Sequence, residues 1–215
     1  MVDTSKTSAH MTDPAGASSD ALVVSDLSCV RGERELFSGV SFAVPSGCIL
    51  LVTGPNGSGK SSLLRILAGL LDATAGSYRP PERGTFTRPV GYLGHANSIK
   101  IRLTVRENLR FWARLARAEP AVEPILQRVG LGRFMDLPAG WLSAGQLRRL
   151  ALSQLMIADS RLWLLDEPAA NLDSGGESVL QKELARHRSA GGCAVVTSPT
   201  DIEMTDARRF ELAGQ

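Results

Sequence analysis

The stretch Cys48–Leu67 reads CILLVTGPNGSGKSSLLRIL, in which an apolar run, a glycine-rich loop and a helical pattern follow one another. Its first six residues, 48–53, form a continuous β-favouring run, which predicts a strand buried on both faces. A helix is predicted directly after the loop, with an apolar face made of Leu63, Leu64, Ile66, Leu67, Leu70 and Leu71. Strand, glycine loop and helix in this order predict an α/β fold in which the loop can cradle a phosphate.

Residues 54–62, GPNGSGKSS, fit the pattern G-x-x-x-x-G-K-[ST]. Glycines let the backbone wrap a phosphate chain, so that amide N–H groups and the next helix N-terminus face the phosphate oxygens. In such a loop Lys60 bridges the β- and γ-phosphates and the Ser61 hydroxyl is a ligand of Mg²⁺. The flanking strand and helix disfavour the alternative, a glycine loop without a ligand. The predicted nucleotide-binding residues of the loop are Gly54, Pro55, Asn56, Gly57, Ser58, Gly59, Lys60, Ser61 and Ser62.

A second apolar run, LWLLDE at Leu162–Glu167, ends in two carboxylates. Ligands bind at the carboxyl ends of strands in open α/β sheets, so this run predicts acidic groups beside the phosphate loop. Asp166 is suited to hold Mg²⁺ through water, and Glu167 to orient or deprotonate an attacking water. A strand that ends in Asp-Glu is common by itself, but together with the phosphate loop it predicts an NTPase.

Other segments extend the α/β pattern. Short apolar runs separated by turns over 21–44 predict an antiparallel β layer at the start of the domain. Residues 194–198 predict a further buried strand, preceded by a helix around 179–188. The proline-rich piece 79–89 predicts a loop. We therefore expect a largely parallel sheet that carries an antiparallel layer and a helical insert.

The helical insert is predicted at about residues 96–158. Thr104 and Glu107 form a capping-box pattern that opens one helix, and Ser143 and Gln146 form a second such pattern. The apolar face predicted for the first helix comprises Val105, Leu109, Trp112 and Leu115 or Ala116. We expect its aromatic side chains to pack in a core.

Composition excludes several classes of protein. The net charge is +2 and the basic residues are scattered, which argues against nucleic-acid binding. No window reaches the ~18 consecutive apolar residues of a membrane span and no signal-peptide pattern begins the chain, so we expect a soluble cytoplasmic protein. Three widely spaced cysteines predict reduced structural thiols. Residues 1–20 offer little to bury and predict a disordered tail before one domain over 21–215.

The pentapeptide LSAGQ, Leu142–Gln146, follows the phosphate loop and precedes LWLLDEP and then ANLD at 170–173. This order of motifs resembles that of the ATP-binding cassette (ABC) ATPases, and the resemblance extends from about Leu22 to the end of the chain. It implies an ABC-type P-loop NTPase that binds ATP and Mg²⁺. Arg148 and Arg149 follow the pentapeptide, and we expect them to face solvent or phosphate.

The resemblance also implies a role for the pentapeptide. In the family Ser143 and Gly145, with Gln146 beside them, contact the γ-phosphate of ATP held by the phosphate loop of a second subunit. A helix N-terminus binds anions through its free N–H groups and its dipole, which agrees with that role. Asp173 resembles the aspartate that spans the dimer interface, and its alternative is an ordinary loop acid. A two-fold homodimer would then complete two equivalent sites.

Segments 91–112 (GYLGHANSIKIRLTVRENLRFW) and 137–155 (LPAGWLSAGQLRRLALSQL) are similar to the ABC ATPases of c-type cytochrome biogenesis, which act in heme export or heme delivery. This resemblance implies integral membrane permease subunits as partners and a peripheral place on the cytoplasmic side of the inner membrane. His95 stands where most ABC ATPases have a glutamine that contacts Mg²⁺, and is predicted as a metal ligand and catalytic residue rather than a solvated histidine. Arg31 stands where many of them stack an aromatic ring on adenine, and an arginine plane can stack on the base too; a solvated surface arginine is the alternative.

One position departs from the family pattern. Pro199 stands where the family has a histidine that contacts the γ-phosphate, and proline offers neither a side-chain donor nor an N–H. Loss of one such donor typically costs about 10² to 10³ in rate, so slow hydrolysis is expected unless Thr197, Ser198 or Thr200 supplies a hydroxyl. A nucleotide-gated module with weak or no hydrolysis is therefore one alternative, which the retained Glu167 disfavours. A soluble ABC ATPase of another pathway is the other.

Overall fold

The computed structural model describes residues 18–82, 84–117, 122–198, 204 and 206–213. In chain order its elements are β1 (Leu22–Arg31), β2 (Arg34–Val44), β3 (Ile49–Thr53), α1 (Lys60–Leu67), β4 (Ala75–Arg79), β5 (Arg88–Leu93), α2 (Val105–Ala116), α3 (Val122–Arg128), α4 (Ala144–Ala158), β6 (Ser160–Asp166), α5 (Ser174–Ser189), β7 (Cys193–Thr197) and β8 (Ala207–Glu211). Two short 3-10 helices, Gly132–Phe134 and Ala139–Trp141, precede α4. The alternation of strands and helices confirms the predicted α/β class.

A five-stranded parallel sheet with the order β5-β6-β7-β3-β8 forms the centre of the fold. Every residue of β6 and β7 is buried, which explains why both strands are continuous apolar runs in the sequence. Val52 pairs with Thr197, and Asp166 pairs with Thr197 from the other side. The carboxyl ends of β3, β6 and β7 therefore meet at one edge, beside the loop that follows Thr53.

A three-stranded antiparallel sheet with the order β2-β1-β4 forms a second layer. The layer predicted over 21–44 is confirmed, but β4 was not predicted. Its residues are mostly exposed and show no apolar alternation, so only the pairing with β1 defines it as a strand. The loop predicted at 79–89 is shorter than expected, because Arg79 ends β4 and Arg88 begins β5.

The main core lies where β1 and β2, the parallel sheet and α1 pack together. Its largest fully buried side chains include Leu22, Phe37, Phe42, Leu50 and Leu63. Helix α1 ends at Leu67, and Leu70, predicted on its apolar face, is exposed. The three cysteines are free thiols, as predicted, and burial raises the pKa of the Cys193 thiol to about 12.

Helices α2, α3 and α4 pack around a separate apolar cluster, which matches the predicted helical insert. Both capping boxes are present: Thr104 with Glu107 opens α2, and Ser143 with Gln146 opens α4. The predicted apolar face of α2 is confirmed at Val105, Leu109 and, of the two alternatives Leu115 and Ala116, at Ala116, whereas Trp112 departs from it. Trp112 is half-buried and Leu115 is 59% exposed, whereas Ala113 and Ala116 are buried beside Val105 and Leu109. The face of α2 in this cluster therefore consists of Val105, Leu109, Ala113 and Ala116 rather than the aromatic ring.

Residues 1–17 of the predicted tail lie outside the described residues. Residues 18–20, the last three of the predicted tail, are described, and two of them contact the domain. The Glu82 N–H donates to the Ser19 carbonyl at 3.0 Å, and Arg79 donates to the carbonyls of Ser18 and Ser19 at 3.4 Å. The tail itself stays a prediction.

Candidate functional site

The phosphate loop connects β3 to α1 and is held in one shape by close backbone approaches. Gly54 has φ +142°, and a Cβ atom there would lie 2.4 Å from the Leu212 carbonyl oxygen. Gly59 has φ +96° and caps α1; its Cβ atom would lie 2.8 Å from the Phe37 ring. Side chains at either position would collide with the strands around the loop, so the pattern requires glycine there.

Lys60 is the first residue of α1 and is 6% exposed. Its ammonium group donates to the carbonyl oxygens of Gly54 at 2.7 Å and Pro55 at 2.9 Å. The Lys60 side chain thus folds back over the phosphate loop, and its charged ammonium group lies against the first two residues of the loop. A buried ammonium group at a helix N-terminus gives this loop the positive charge that a polyphosphate requires.

Asp166, at the end of β6, joins the phosphate loop to the end of β7. Its Oδ1 accepts hydrogen bonds from the Ser61 hydroxyl at 3.0 Å and from the Thr197 hydroxyl at 2.9 Å. The carboxylate is 1% exposed, and its Oδ2 has no hydrogen-bond partner among the described residues. A buried carboxylate oxygen without a donor is costly unless a cation or another donor reaches it. The structure therefore brings Ser61 and Asp166 together as the sequence predicted.

Glu167 follows Asp166 in a left-handed backbone conformation with φ +47°. This conformation is uncommon outside glycine, so contacts with the surrounding structure must hold it. The Glu167 N–H donates to the Thr197 hydroxyl at 3.1 Å, and the Glu167 carbonyl accepts from Arg148 at 3.0 Å. The turn directs the chain so that Glu167 lines the cavity at the phosphate loop.

That cavity has a volume of about 290 Å³. It is lined by Arg34, Leu36, Asn56, Gly57, Gly59, Lys60, Ser61, Ser62 and Glu167. Arg31 is exposed at the end of β1 and is not part of this lining, so its contact with the base stays a prediction. Arg34 lines the cavity because it belongs to β2, the strand whose Leu36 and Phe37 touch the phosphate loop. Sequence reasoning missed Arg34, although its place at the start of the second strand of a hairpin was a usable signal.

His95 lies in the exposed loop after β5. It lines a separate cavity of about 350 Å³ with Arg65, Tyr92, Asn97 and Gln154, among others. Among the described residues, no group of three or more His, Cys, Asp or Glu side chains is arranged to hold a metal ion. The predicted metal-binding and catalytic roles of His95 therefore stay predictions.

The pentapeptide 142–146 begins α4, with Ser143 as its N-cap. The Ser143 hydroxyl accepts from the Gln146 N–H at 3.3 Å, and the Gln146 side chain accepts from the Ser143 N–H at 2.9 Å. A Cβ atom on Gly145 would lie 2.8 Å from the Asn171 carbonyl oxygen, so glycine allows the first turn of α4 to touch the loop after β6. None of these five residues lines the cavity at the chain's own phosphate loop.

Asp173 is the N-cap of α5, and its Oδ1 accepts a hydrogen bond from the Gly176 N–H at 2.8 Å. The contact explains the residue locally as a helix cap. Its role at a dimer interface stays a prediction.

Arg148 and Arg149 do not face solvent or phosphate as expected. Arg148 is 4% exposed and donates to the carbonyls of Gly94, Asp166, Glu167 and Pro168. Arg149 donates to the Val129 carbonyl at 2.9 Å inside the helical subdomain. The expectation failed because the two side chains donate to carbonyls at the ends of strands β5 and β6 and of helix α3, and the local sequence does not show that these carbonyls lie nearby. Burial lowers the pKa of the Arg148 guanidinium, an effect that the nearby Asp166 and Glu167 oppose.

The hydroxyl groups at the end of β7 are buried. The Thr197 hydroxyl donates to Asp166 Oδ1 at 2.9 Å and accepts from the Glu167 N–H at 3.1 Å. Ser198 is also buried. Pro199 and Thr200 lie outside the described residues. The Thr197 hydroxyl thus has a structural task inside the site, which differs from the expected donation to a phosphate.

Comparison with known proteins places these motifs in a family. A family model for ABC transporters matches residues 37–170. Over 198 residues the chain is 46% identical to the cytochrome c biogenesis ATP-binding export protein CcmA of Paramagnetospirillum magneticum, with 87% of this chain and 91% of that protein covered. The chain belongs to the ABC transporter family, in the branch of these export proteins. A protein of the same name from Rhizobium meliloti is 41% identical over 202 residues, with 90% and 98% covered.

Solved structures of ABC ATP-binding proteins share the fold. A putative ABC transporter ATP-binding protein from Pyrococcus furiosus superposes with a TM-score of 0.76 at 20% identity, covering 89% of this chain and 97% of that one. An ATP-binding cassette in its ADP conformation gives a TM-score of 0.71 at 21% identity, with 84% and 82% covered. The predicted ABC fold is thereby confirmed.

Membership in the family confirms the predicted class of activity. The chain is an ABC-type ATPase, the ATP-binding subunit of an ABC transporter. Within the part of the chain that the structure describes, no helix is both long enough and apolar enough to cross a bilayer.

Proposed function

We propose that this chain binds and hydrolyses ATP to drive a membrane ABC transporter of c-type cytochrome biogenesis. Heme is the exported or delivered species that the sequence resemblance implies. The pathway is supported by relatives whose names state cytochrome c biogenesis and export, and which the chain matches over nearly their whole length. The observation that supports the chemistry is the hydrogen bond of 3.0 Å from the Ser61 hydroxyl to Asp166 Oδ1, beside a cavity that Lys60 and Glu167 line.

The loop residues are assigned to the phosphates of ATP. Backbone N–H groups of residues 56–62 and the N-terminus of α1 are assigned to the phosphate chain, and Lys60 neutralises its β- and γ-oxygens. Glu167 lines the same cavity and accepts a proton from, or orients, the attacking water. Because the Glu167 backbone is fixed at both its N–H and its carbonyl, the carboxylate needs little rearrangement before it acts.

Ser61 and Asp166 suit a magnesium ion. Asp166 Oδ2, which has no hydrogen-bond partner among the described residues, and the Ser61 hydroxyl offer oxygen ligands, the type that Mg²⁺ prefers. When bound, Mg²⁺ would neutralise charge on the phosphate oxygens. His95 is proposed to reach the same ion or its water from the neighbouring cavity.

The helix that begins at Ser143 is assigned to the nucleotide of a second copy of the chain. This assignment is supported by the position of residues 142–146 outside the lining of the cavity at their own phosphate loop, together with the affinity of a helix N-terminus for anions. Two copies related by a two-fold axis would enclose two ATP molecules, with Asp173 near the axis. The dimer acts on integral permease subunits, and the chain is thus peripheral on the cytoplasmic side of the inner membrane.

The deciding experiment is ATP hydrolysis by the membrane-extracted complex, with Glu167→Gln as the blank. Phosphate release well above the blank is expected. A rate no higher than the blank, with ATP-dependent dimerisation intact, would contradict hydrolysis and indicate a nucleotide-controlled clamp, the alternative that Pro199 suggests. The pathway is checked separately in cells that lack the chain: wild-type protein restores holo-cytochrome c, whereas Glu167→Gln does not.

A further inference from the structure

The guanidinium of Arg148 uses all of its hydrogen-bond donors inside the protein. It donates to the carbonyl oxygens of Gly94 at 2.8 Å, Asp166 at 2.6 Å, Glu167 at 3.0 Å and Pro168 at 3.3 Å. It also donates to the side-chain oxygen of Asn97 at 3.0 Å. A guanidinium has five N–H groups, so these five hydrogen bonds saturate it.

The five acceptors belong to two segments that are far apart in sequence. One segment, 166–168, contains Glu167, and the other, 94–97, contains His95. The side chain that joins them starts from α4, two residues after Gln146. The buried Arg148 guanidinium therefore joins three parts of the site: the end of β6 with Glu167, the loop with His95, and helix α4.

The hydrogen bond to the Glu167 carbonyl has a particular consequence. With φ +47°, the Glu167 backbone occupies a region that non-glycine residues seldom adopt. Its N–H donates to the Thr197 hydroxyl at 3.1 Å, and its carbonyl accepts from Arg148 at 3.0 Å and from the Ala170 N–H at 3.1 Å. Loss of the Arg148 side chain removes the long-range partner of this carbonyl and leaves the local bond from the Ala170 N–H, so the turn can relax toward an ordinary backbone conformation.

We propose that Arg148 is a positioning residue for hydrolysis, which holds the Glu167 backbone and the His95 loop in register with helix α4. The inference rests on the proposed role of Glu167. Movement of α4 against a second subunit's nucleotide is then transmitted to the chain's own catalytic carboxylate through one side chain. The link consists of direct hydrogen bonds between the elements that must move together.

Lysine at this position is a poor substitute. An ammonium group is a compact charge with three donors, whereas the planar guanidinium spans acceptors from three peptide groups and a second loop at once. Arg148→Lys keeps the buried charge and part of the bonding, and Arg148→Gln removes the charge and leaves at most two of the five donors. The two variants therefore separate the charge from the five-donor geometry.

The test compares these variants with Arg161→Gln. Arg161 is another buried arginine, but it lies near the opposite end of β6 and donates to Ser46 at 3.0 Å. We expect Arg148→Gln to lower kcat by about 10- to 100-fold, because a small misplacement of a catalytic group is costly, while KM for ATP changes by less than about twofold. Arg148→Lys should recover part of kcat. Arg161→Gln should leave kcat within about twofold even if it lowers the melting temperature as much.

A second measurement keeps the test independent of turnover. Amide hydrogen exchange of the full chain should accelerate in peptides that cover 94–97 and 166–170 in Arg148→Gln, and not in Arg161→Gln. Wild-type kcat in Arg148→Gln, or unchanged exchange in both peptides, would overturn the proposal. If the wild-type rate does not exceed the Glu167→Gln blank, the proposed hydrolysis fails, and the exchange result still decides the role of Arg148.

Discussion

The Ser61 hydroxyl donates to Asp166 Oδ1 at 3.0 Å, although the two residues are 105 positions apart in the sequence. One belongs to the first turn after the phosphate loop and the other ends a central strand. The contact is possible because β3 and β6 end at the same edge of the parallel sheet, with β7 between them. Thr197, from the end of β7, donates to the same carboxylate oxygen at 2.9 Å.

This relationship makes Asp166→Asn a sharp test of the proposed magnesium site. The amide keeps one oxygen but removes the charge, so we expect Mg²⁺-dependent ATP hydrolysis to fall by at least about 10²-fold. Binding of ATP without divalent cations should change little, because Lys60 and the loop amides remain. Phosphate release and titration with a fluorescent nucleotide give the two readouts.

Asp159→Asn is the matched control for that variant. Asp159 ends α4 and accepts a hydrogen bond from the Thr87 hydroxyl at 3.0 Å, far from the carboxyl ends of the strands. Its replacement should leave magnesium-dependent turnover unchanged. A comparable loss of turnover in both variants would contradict the assignment of Asp166.

His187 predicts a dependence of stability on pH. The ring is 7% exposed, stacks on Trp163 with centroids 4.1 Å apart, and donates through Nε2–H to the Cys193 carbonyl at 3.1 Å. Burial lowers the pKa of His187 to about 4, whereas its ordinary value is 6.5. Between these values the unfolded chain binds more protons than the folded one, so the free energy of unfolding falls as pH decreases from about 6.5 to 4.

The expected contribution is about 3 kcal/mol over that pH interval, measured by denaturant unfolding at several pH values. Above pH 6.5 the contribution of His187 should be constant. His187→Phe keeps an aromatic ring against Trp163 but cannot titrate, so its unfolding free energy should depend less on pH across the same interval. An identical pH dependence in the variant would show that other groups cause it.

Much of the fold and part of the site were predictable from the sequence. The phosphate loop, Asp166, Glu167 and both capping boxes follow from short patterns, because local geometry imposes them. Strand β4 and the five hydrogen bonds of Arg148 were not predictable, since each depends on partners brought together only by the complete fold. Arg34 was missed although its place at the start of the second hairpin strand was a signal, because only the paired strands show that Arg34, and not Arg31, lines the cavity.

Gly145→Ala tests the close approach between α4 and the loop after β6. The added Cβ atom would lie 2.8 Å from the Asn171 carbonyl oxygen, so the first turn of α4 or the loop must shift. We expect kcat to fall by about tenfold or more, because Glu167 and α4 share this region. Gly175→Ala is the control: its nearest neighbour would be 3.7 Å away, and it should slightly stabilise α5. Equal kcat values in the two variants would contradict the prediction.

The two capping boxes offer a comparison that separates stability from nucleotide binding. Thr104 and Ser143 each cap a helix through the same reciprocal pair of hydrogen bonds, so replacing either by alanine should cost about 1 kcal/mol of unfolding free energy. Ser143, however, is also proposed to contact the nucleotide of a second subunit, whereas Thr104 has no such assignment. We therefore expect Ser143→Ala to reduce both ATP turnover and ATP-dependent dimerisation of Glu167→Gln, and Thr104→Ala to reduce neither. Unfolding curves, phosphate release and sedimentation of the two variants would give the answer; equal effects on dimerisation would mean that the hydroxyl of Ser143 serves as a helix cap alone.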